Sequence, residues 1–417
     1  MMKKITAVLF GLFFAGLSFA QQSYEITFPH DGITVNGTIT TPEGTGKFPV
    51  IIINPGSGAN DRNGTIPMVG GNAACLYPEL LNQTLKPYKE LSDALVDSGY
   101  AVLRYDKLEY TNPTSLGTIT FHKLWLPVSS AIDYVKTRDD VDTNQIILIG
   151  HSEGSTLIPY IAHGRQDVKA LISIAGARTP FDSLLAQQLV NLADSCNGNV
   201  PEAQMQASQI LAYFNLIRTN AWDANTPPLF GAPASTWYDY VRATDSVSHY
   251  YNLNNLPTLF TGMALDFNVP PVELERFQEE VVITNDFWSM PGLIHYMTPN
   301  NDPHVSKMLT DTIIYWLRQH NFATGIQPAA VEEEVVKLFP NPFQEEFSIK
   351  TLKSFSNLSL TLFNTLGKKE WQWQEEKVKK NSTIKAAVSH LPAGTYFLEI
   401  ATEKQRWVKK IIKLEKQ

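Results

Sequence analysis

The sequence predicts an α/β fold: a mostly parallel sheet with helices on both faces and a helical cap insertion, followed by a small C-terminal all-β sandwich. Three observations predict it. Short, wholly apolar runs such as Val50–Ile53 and Ile146–Ile149 read as strands buried on both faces, the pattern of a parallel sheet. Segments of helical period alternate with them, as βαβ units require. After about Phe322 the rhythm stops, and only short alternating segments separated by turn residues follow.

The bulk properties suit such a fold. At 417 residues, 43% hydrophobic and 18% charged, the chain is long for one domain and has an ordinary globular composition. A net charge of −7 offers no general attraction to nucleic acid or an anionic membrane. Two cysteines, Cys75 and Cys196, are too few for a disulfide scaffold and lack metal-site spacing. They could form one bridge if the chain is exported, and the spacing leaves that open.

Residues 1–20 read as a secretory signal peptide. Lys3 and Lys4 give a positive start, Ile5 to Leu17 an apolar run, and Ser18-Phe19-Ala20 a small-x-small cleavage pattern. A membrane anchor needs a longer run, about 20 residues. No other stretch is long and apolar enough to span a bilayer.

The catalytic domain is expected over 21–322. Tyr24 to Phe28 and Thr34 to Thr41 alternate as strands around the turn signal Asp31-Gly32. Phe48 to Ile53 is a buried strand ending in Asn54-Pro55-Gly56-Ser57-Gly58. Such a turn leaves backbone N–H groups free to face a ligand, and without a following Gly-Lys-Ser/Thr it is no phosphate loop. Tyr88 to Ser98 has helical period and stops at Gly99, and Tyr100 to Tyr105 is the next strand. Lys123 to Lys136 reads as one helix. Gln145 to Ile149 is a strand running into Gly150-His151-Ser152-Glu153-Gly154, and Val168 to Ala175 is another. The βα rhythm breaks at about Ala177. Residues 178–255 carry helical patterns at Phe181–Leu192 and Glu202–Ile217, then a polar run with Trp222, Trp237, Tyr238 and Tyr240, together expected as the cap. Leu256 to Gly262 and Glu280 to Thr284 resume the strands, and Leu309 to Arg318 closes the domain. Residues 323–335 form a linker, and 336–417 the sandwich, with strands at Phe347–Lys350, Leu358–Asn364, Thr383–Ala387, Gly394–Ala401 and Arg406–Lys413.

The chemistry is expected at Ser152. A G-x-S-x-G pentapeptide between a buried strand and a helix places the serine on a strained turn with its hydroxyl above the sheet. A serine capping a helix is the bland alternative. To act as a nucleophile the hydroxyl needs an imidazole, and the imidazole needs an orienting carboxylate, in the chain order serine, acid, histidine. Asp266 lies just past a core strand on a loop pinned by Pro270-Pro271, and His295 follows the next strand behind Pro291-Gly292. Asp286, Asp302 and His304 are weaker candidates, His151 is expected to point away and pack, and His122 and His163 have no positional case. The oxyanion hole needs two backbone donors, expected from Ser57 and Glu153. The Glu153 carboxylate should be turned away from that site, so that Glu153→Leu would retain or raise activity.

Together these residues resemble the α/β-hydrolase superfamily over residues 24–320, specifically its esterase, dienelactone-hydrolase and serine-aminopeptidase-like members. Pro55 to Gly64 is similar to that group's His-Gly-Ser-Gly-Pro-Gln-Asp-Arg-Asp segment, with Pro55 in place of the histidine. Leu103-Arg104-Tyr105-Asp106-Lys107 matches its strand-end signature, Asp266 its Asp-x-x-Val-Pro-Pro acid motif, and His295 its Pro-Gly-Leu-x-His motif. In the elbow, Glu153 stands where Leu or Met is usual. The resemblance implies a serine hydrolase without metal or organic cofactor, acting on carboxylic esters of short to medium acyl length, with Arg62 and Asp61 bracing the oxyanion loop. An aminopeptidase or dipeptidyl-peptidase-like activity is the alternative. It needs a carboxylate in the cap for a free α-amino group, and Glu202, Asp223 or Asp239 could supply one. A non-catalytic surface-binding protein is the reading from another class.

The C-terminal segment resembles the sorting domain of the Bacteroidetes type IX secretion system. Leu338 to Phe343, Leu362 to Gly367, Leu391 to Tyr396 and Lys409 to Leu414 carry its motifs in order. The resemblance implies the type IX machinery as partner, and outer-membrane export with release or attachment at the cell surface. A carbohydrate-binding sandwich, with Trp371 and Trp373 as a sugar platform, is the competing reading.

Overall fold

In the computed structural model, residues 21–44, 46–112, 119–283, 285–322, 335–364, 369–402 and 406–414 are described. The expected signal peptide lies outside them, as does the linker except for Val335. The chain divides into two compact units, residues 1–326 and 327–417.

The first unit is organised on eight strands. They are β1 (Gln21–His30), β2 (Ile33–Pro42), β3 (Phe48–Asn54), β6 (Ala101–Tyr105), β7 (Val141–His151), β8 (Val168–Ile174), β9 (Thr258–Met263) and β10 (Asn285–Met290); the two-residue β4 (Ile66–Pro67) and β5 (Thr84–Leu85) pair apart from them. The sheet order is β1-β2-β6-β3-β7-β8-β9-β10. From β6 to β10 every pair is parallel, while β1 and β2 add antiparallel at one edge. The β1–β2 turn is Asp31-Gly32, with φ of 44° and 75°, both in the left-handed region that a tight hairpin needs.

The helices are α1 (Gly71–Leu76), α2 (Pro87–Asp97), α3 (Leu108–Thr111), α4 (Phe121–Trp125), α5 (Pro127–Val135), α6 (Glu153–Ala162), α7 (Phe181–Leu192), α8 (Val200–Arg218), α9 (Ala234–Thr244), α10 (Val247–Asn254), α11 (Val272–Glu280) and α12 (Lys307–Gln319). They cover both faces, which explains the apolar runs. Along β3, Val50 and Ile52 enter the core beneath α5 and α6, whereas Ile51 and Ile53 enter the one beneath α2 and α12. Period-two alternation sends successive side chains to opposite layers, so both must be apolar.

Three expectations are corrected. The helix read over Lys123–Lys136 is two helices, because Pro127 has no N–H to continue α4 and instead opens α5. The strand read at Glu280–Thr284 lies at Asn285–Met290, with Thr284 outside the described residues. Val281 and Ile283 suggested a strand, yet Val281 seals the end of α11 while Val282 is 83% exposed. The true strand is polar because it is the sheet's edge, with Trp288 and Ser289 exposed. The aromatic run at Trp237–Tyr240 is helical. It forms α9, with Trp237 and Tyr240 turned inward.

The cysteines are paired. Cys75 in α1 and Cys196 in the turn after α7 form a disulfide across 121 residues of sequence, tying the loop after β3 to the insertion.

The second unit is two sheets around one core. They order β11 (Val336–Phe339), β12 (Glu346–Thr351) and β15 (Thr383–Ala387), and β14 (Lys369–Val378), β13 (Phe355–Asn364), β16 (Gly394–Ala401) and β17 (Arg406–Lys413). Phe347 and Ile349 from one sheet and Leu358, Leu360 and Leu398 from the other pack together. The sequence reading missed β14, whose Gln, Glu and Lys positions suit a solvated edge. Trp371 and Trp373 lie half-buried on this strand, packed against the core. Residues 365–367 of the second sorting motif lie outside the described residues.

Candidate active site

Strand β7 delivers Ser152 into an unusual conformation. Its φ of 55° and ψ of −121° lie outside both helical and extended regions, a strain that persists only where the surroundings impose it. They do so from several sides. Ser152 N donates to Ile174 O at 2.9 Å, and Ser155 Oγ donates to Gly150 O at 2.6 Å. A Cβ on Gly154 would lie 2.2 Å from Asn54 O, and one on Gly150 would lie 2.4 Å from Gly154 O. Backbone fills both spaces. Gly154→Ala is therefore expected to destabilise the first unit by about 3 kcal/mol or more, measured as a lower urea midpoint. The Ser152 hydroxyl has no hydrogen-bond partner among the described residues and lines a cavity.

Asp266 and His295 come together from the ends of β9 and β10. His295 Nδ1 is 2.8 Å from Asp266 Oδ2, and both side chains are buried. Asp266 Oδ1 is already occupied, accepting from Asn268 N and Val269 N at 2.8 Å each. With Oδ1 taken by two backbone donors, Oδ2 is placed to accept from Nδ1–H, the tautomer in which the lone pair of a neutral ring lies on Nε2.

A second network holds the histidine loop on the elbow. Gly56 N donates to Tyr88 Oη at 2.9 Å, Tyr88 Oη bonds His151 Nδ1 at 2.9 Å, and His151 Nε2 is 2.8 Å from His295 O. Burial, aided by His295, depresses the His151 pKa to about 3, and burial pushes the Tyr88 hydroxyl up to about 12. Both stay neutral, so Tyr88 accepts from Gly56 and donates to His151, which donates to the His295 carbonyl. His151 packs, as expected from sequence, and also holds the backbone of the His295 loop.

The weaker candidates lie elsewhere. Asp286 accepts from Trp316 Nε1 at 2.8 Å on α12, Asp302 caps the backbone N–H of His304, and exposed His304 sits 3.1 Å from Glu90 of α2. His122 stacks on His30, and His163 packs edge-on against Tyr250. Glu202, Asp223 and Asp239 are exposed, and none lines the Ser152 cavity.

The loop after β3 lies beside the elbow because β3 and β7 are neighbours in register, Asn54 opposite Gly150. Asn60 Nδ2 donates to Ser57 O at 2.8 Å and to Gly56 O at 3.1 Å. Arg62 grips Asp106 with Nε to Oδ1 at 3.0 Å and Nη2 to Oδ2 at 2.7 Å, and Asp61 Oδ1 accepts from Thr65 N at 2.7 Å. Asp61 folds the loop on itself, and Arg62 ties it to Asp106 after β6 and to Gly37 and Thr38 of β2.

The cavity, about 430 Å³, runs from Ser57 and Ser152 to the insertion. Phe181 and Leu184 of α7, Trp237 and Tyr240 of α9, Phe230 and Trp125 make its apolar wall. Glu153 lines the cavity, and its carboxylate is held by Lys107 and Tyr240, with Oε2 3.2 Å from Lys107 Nζ and Oε1 3.2 Å from Tyr240 Oη. Lys107 Nζ also lies 3.2 Å from Glu109 Oε1. The sequence reading gave no site role to Lys107, which it quoted only in the strand-end motif, to Tyr240, which it placed in the cap, or to Glu109 and Tyr88. A signal existed for Lys107 and Glu109: charged residues directly after a fully buried parallel strand stand at the ligand end of the sheet. The tyrosines come from distant helices and carried none. Among the described residues there is no cluster able to hold a metal ion, and no helix is long and apolar enough to cross a membrane.

Residues 128–232 match the family described as BAAT / Acyl-CoA thioester hydrolase C terminal, and residues 337–414 match the secretion system C-terminal sorting domain. Esterase EstD of Thermotoga maritima is 27% identical over 336 residues, covering 73% of each chain. Among solved structures, Est1E from Butyrivibrio proteoclasticus is 19% identical over 71% of this chain and 98% of its own, with a TM-score of 0.44. The Pyrococcus horikoshii acylaminoacyl peptidase is 12% identical over 73% of this chain and 42% of its own, with a TM-score of 0.48. The first unit has the α/β-hydrolase fold and is a hydrolase, and the second is a type IX sorting domain that directs export to the cell surface or beyond.

Proposed function

We propose that this exported hydrolase is a serine esterase that cleaves carboxylic esters through an acyl-enzyme intermediate. The observation that carries the reading is the buried Asp266–His295 pair, tautomer set, at the ends of β9 and β10 in the same sheet whose β7 presents Ser152. Ser152 Oγ attacks the ester carbonyl carbon while its proton passes to His295 Nε2. Asp266 stabilises the imidazolium without taking the proton. The backbone N–H groups of Ser57 and Glu153 receive the oxyanion. The intermediate collapses, the C–O bond to the alcohol breaks, and His295 returns the proton to the departing oxygen. Water repeats the sequence on the acyl-enzyme, releasing the carboxylic acid and restoring Ser152.

The apolar wall from Trp125 to Trp237 suits a short to medium acyl or alcohol group. The match to a thioester hydrolase family is consistent with the same attack on a thioester carbonyl. The aminopeptidase reading is weakened because Glu202, Asp223 and Asp239 lie outside the cavity. Turnover of nitrophenyl acyl esters against aminoacyl anilides tests the choice: the esters are expected to be cleaved faster, and faster anilide cleavage would overturn it.

Residues 1–20 serve as a cleaved signal and 336–417 as the second address, joined to the catalytic unit by 323–335. Removal of residues 327–417 is expected to leave active enzyme in the periplasm, read by fractionation and activity. Arrival of the shortened chain at the cell surface would contradict this role.

A further inference from the structure

We propose that Lys107 is a positioning residue for the oxyanion loop: its ammonium holds the carbonyl of the Gly56–Ser57 peptide so that the N–H of Ser57 faces the reacting carbonyl. The inference rests on the assignment of Ser57 N–H as an oxyanion donor.

The geometry is direct. Lys107 Nζ donates to Gly56 O at 3.0 Å, and Asn60 Nδ2 donates to the same oxygen at 3.1 Å. A peptide is planar and trans, so its N–H points opposite to its C=O, and fixing one fixes the other. The carbonyl is held twice, whereas Ser57 N has no hydrogen-bond partner among the described residues and Ser57 lines the cavity beside Ser152. The approach is close: a Cβ on Gly56 would lie 3.2 Å from Ser152 Cβ. A cation on the carbonyl oxygen also draws density from the peptide and strengthens its N–H as a donor.

The surroundings keep that cation charged. Lys107 is buried, which alone would lower its pKa, yet Glu109 and Glu153 on either side outweigh burial and raise it. Lys107 and Glu153 in the interior, beside half-buried Glu109, are costly relative to apolar residues of the same size. Here they place one positive charge behind the donor peptide and tie the Glu153 carboxylate to Lys107 and Tyr240, away from a free approach to the oxyanion. The earlier expectation for Glu153→Leu therefore no longer follows, since Leu would remove a partner of Lys107.

Steady-state kinetics on a nitrophenyl ester, with inhibition by a trifluoromethyl ketone whose oxygen occupies the oxyanion site, test the proposal in the full chain. Lys107→Met is expected to lower kcat about tenfold to a hundredfold, up to the loss seen when a whole donor is removed, with KM within about threefold. The inhibition constant should rise in parallel. Because Lys107→Met strands two carboxylates, a second comparison is needed. The triple variant Lys107→Met/Glu109→Gln/Glu153→Gln is set against the Glu109→Gln/Glu153→Gln double, from which it differs only at residue 107. The same fall in kcat between them is expected. A kcat within twofold in that comparison, or a change confined to KM, would overturn the proposal. Labelling of the wild type by a fluorophosphonate separates the two levels. If Ser152 is labelled and residue 107 has no effect, only the Lys107 inference fails. If Ser152 is not labelled, the serine-esterase reading fails with it.

Discussion

Ser152→Ala is expected to lower kcat on the order of 10⁶-fold while leaving the fold intact. Removing the hydroxyl removes the nucleophile, and residual turnover would come only from the oxyanion donors and substrate binding. Stability should change by no more than about 0.5 kcal/mol, because the hydroxyl makes no hydrogen bond with the described residues. Alanine inherits the same φ of 55°, so the strain at the turn is unchanged. The check is ester turnover with fluorophosphonate labelling and a urea titration of the same sample. A variant keeping more than about one hundredth of the wild-type rate would remove Ser152 from the mechanism.

Asp266→Asn is expected to lower kcat about 10⁴-fold, and the structure says why. Asn268 N and Val269 N both donate to the Oδ1 position, so the amide oxygen of an asparagine must stay there. Its NH₂ is then forced toward His295 Nδ1, which has to accept. The ring proton moves to Nε2, and the nitrogen needed to take the serine proton is blocked. Substrate binding should hardly change, so the loss appears in kcat at nearly constant KM. A fall of less than tenfold would mean that Asp266 does not set the tautomer.

Much of the hydrolase unit was legible because its signals are local. A strand buried on both faces must be apolar throughout, so β3, β6, β7 and β8 appear as runs that nothing else explains. The elbow was legible for a steric reason: Gly150 and Gly154 leave no room for a Cβ, so the pentapeptide around Ser152 tolerates few alternatives. Pro270-Pro271 and Pro291-Gly292 marked the loops that carry Asp266 and His295. Where burial was one-sided or absent, the signal faded. The edge strands β10 and β14 face water and were misplaced or missed, and α9 was concealed because its buried Trp237 and Tyr240 stand among polar residues.

Residue order alone thus specified a parallel sheet, a serine at its strained turn, and the loops that carry Asp266 and His295. It also specified the sorting motifs, which are short and contiguous. Only the folded chain decided what surrounds that serine. The Lys107, Glu109 and Glu153 cluster, the Tyr88–His151–His295 relay, the aromatic wall and the Cys75–Cys196 bridge join residues up to 144 positions apart. Sheet register sets such contacts: Asn54 lies opposite Gly150 because β3 and β7 are neighbours, and no pattern within either strand states which strand will lie beside it. The charge on Glu153 shows the consequence. Read along the chain it was a carboxylate with reason to turn away from a developing anion, and in the fold it is the partner that helps hold a buried lysine against the loop that would receive that anion.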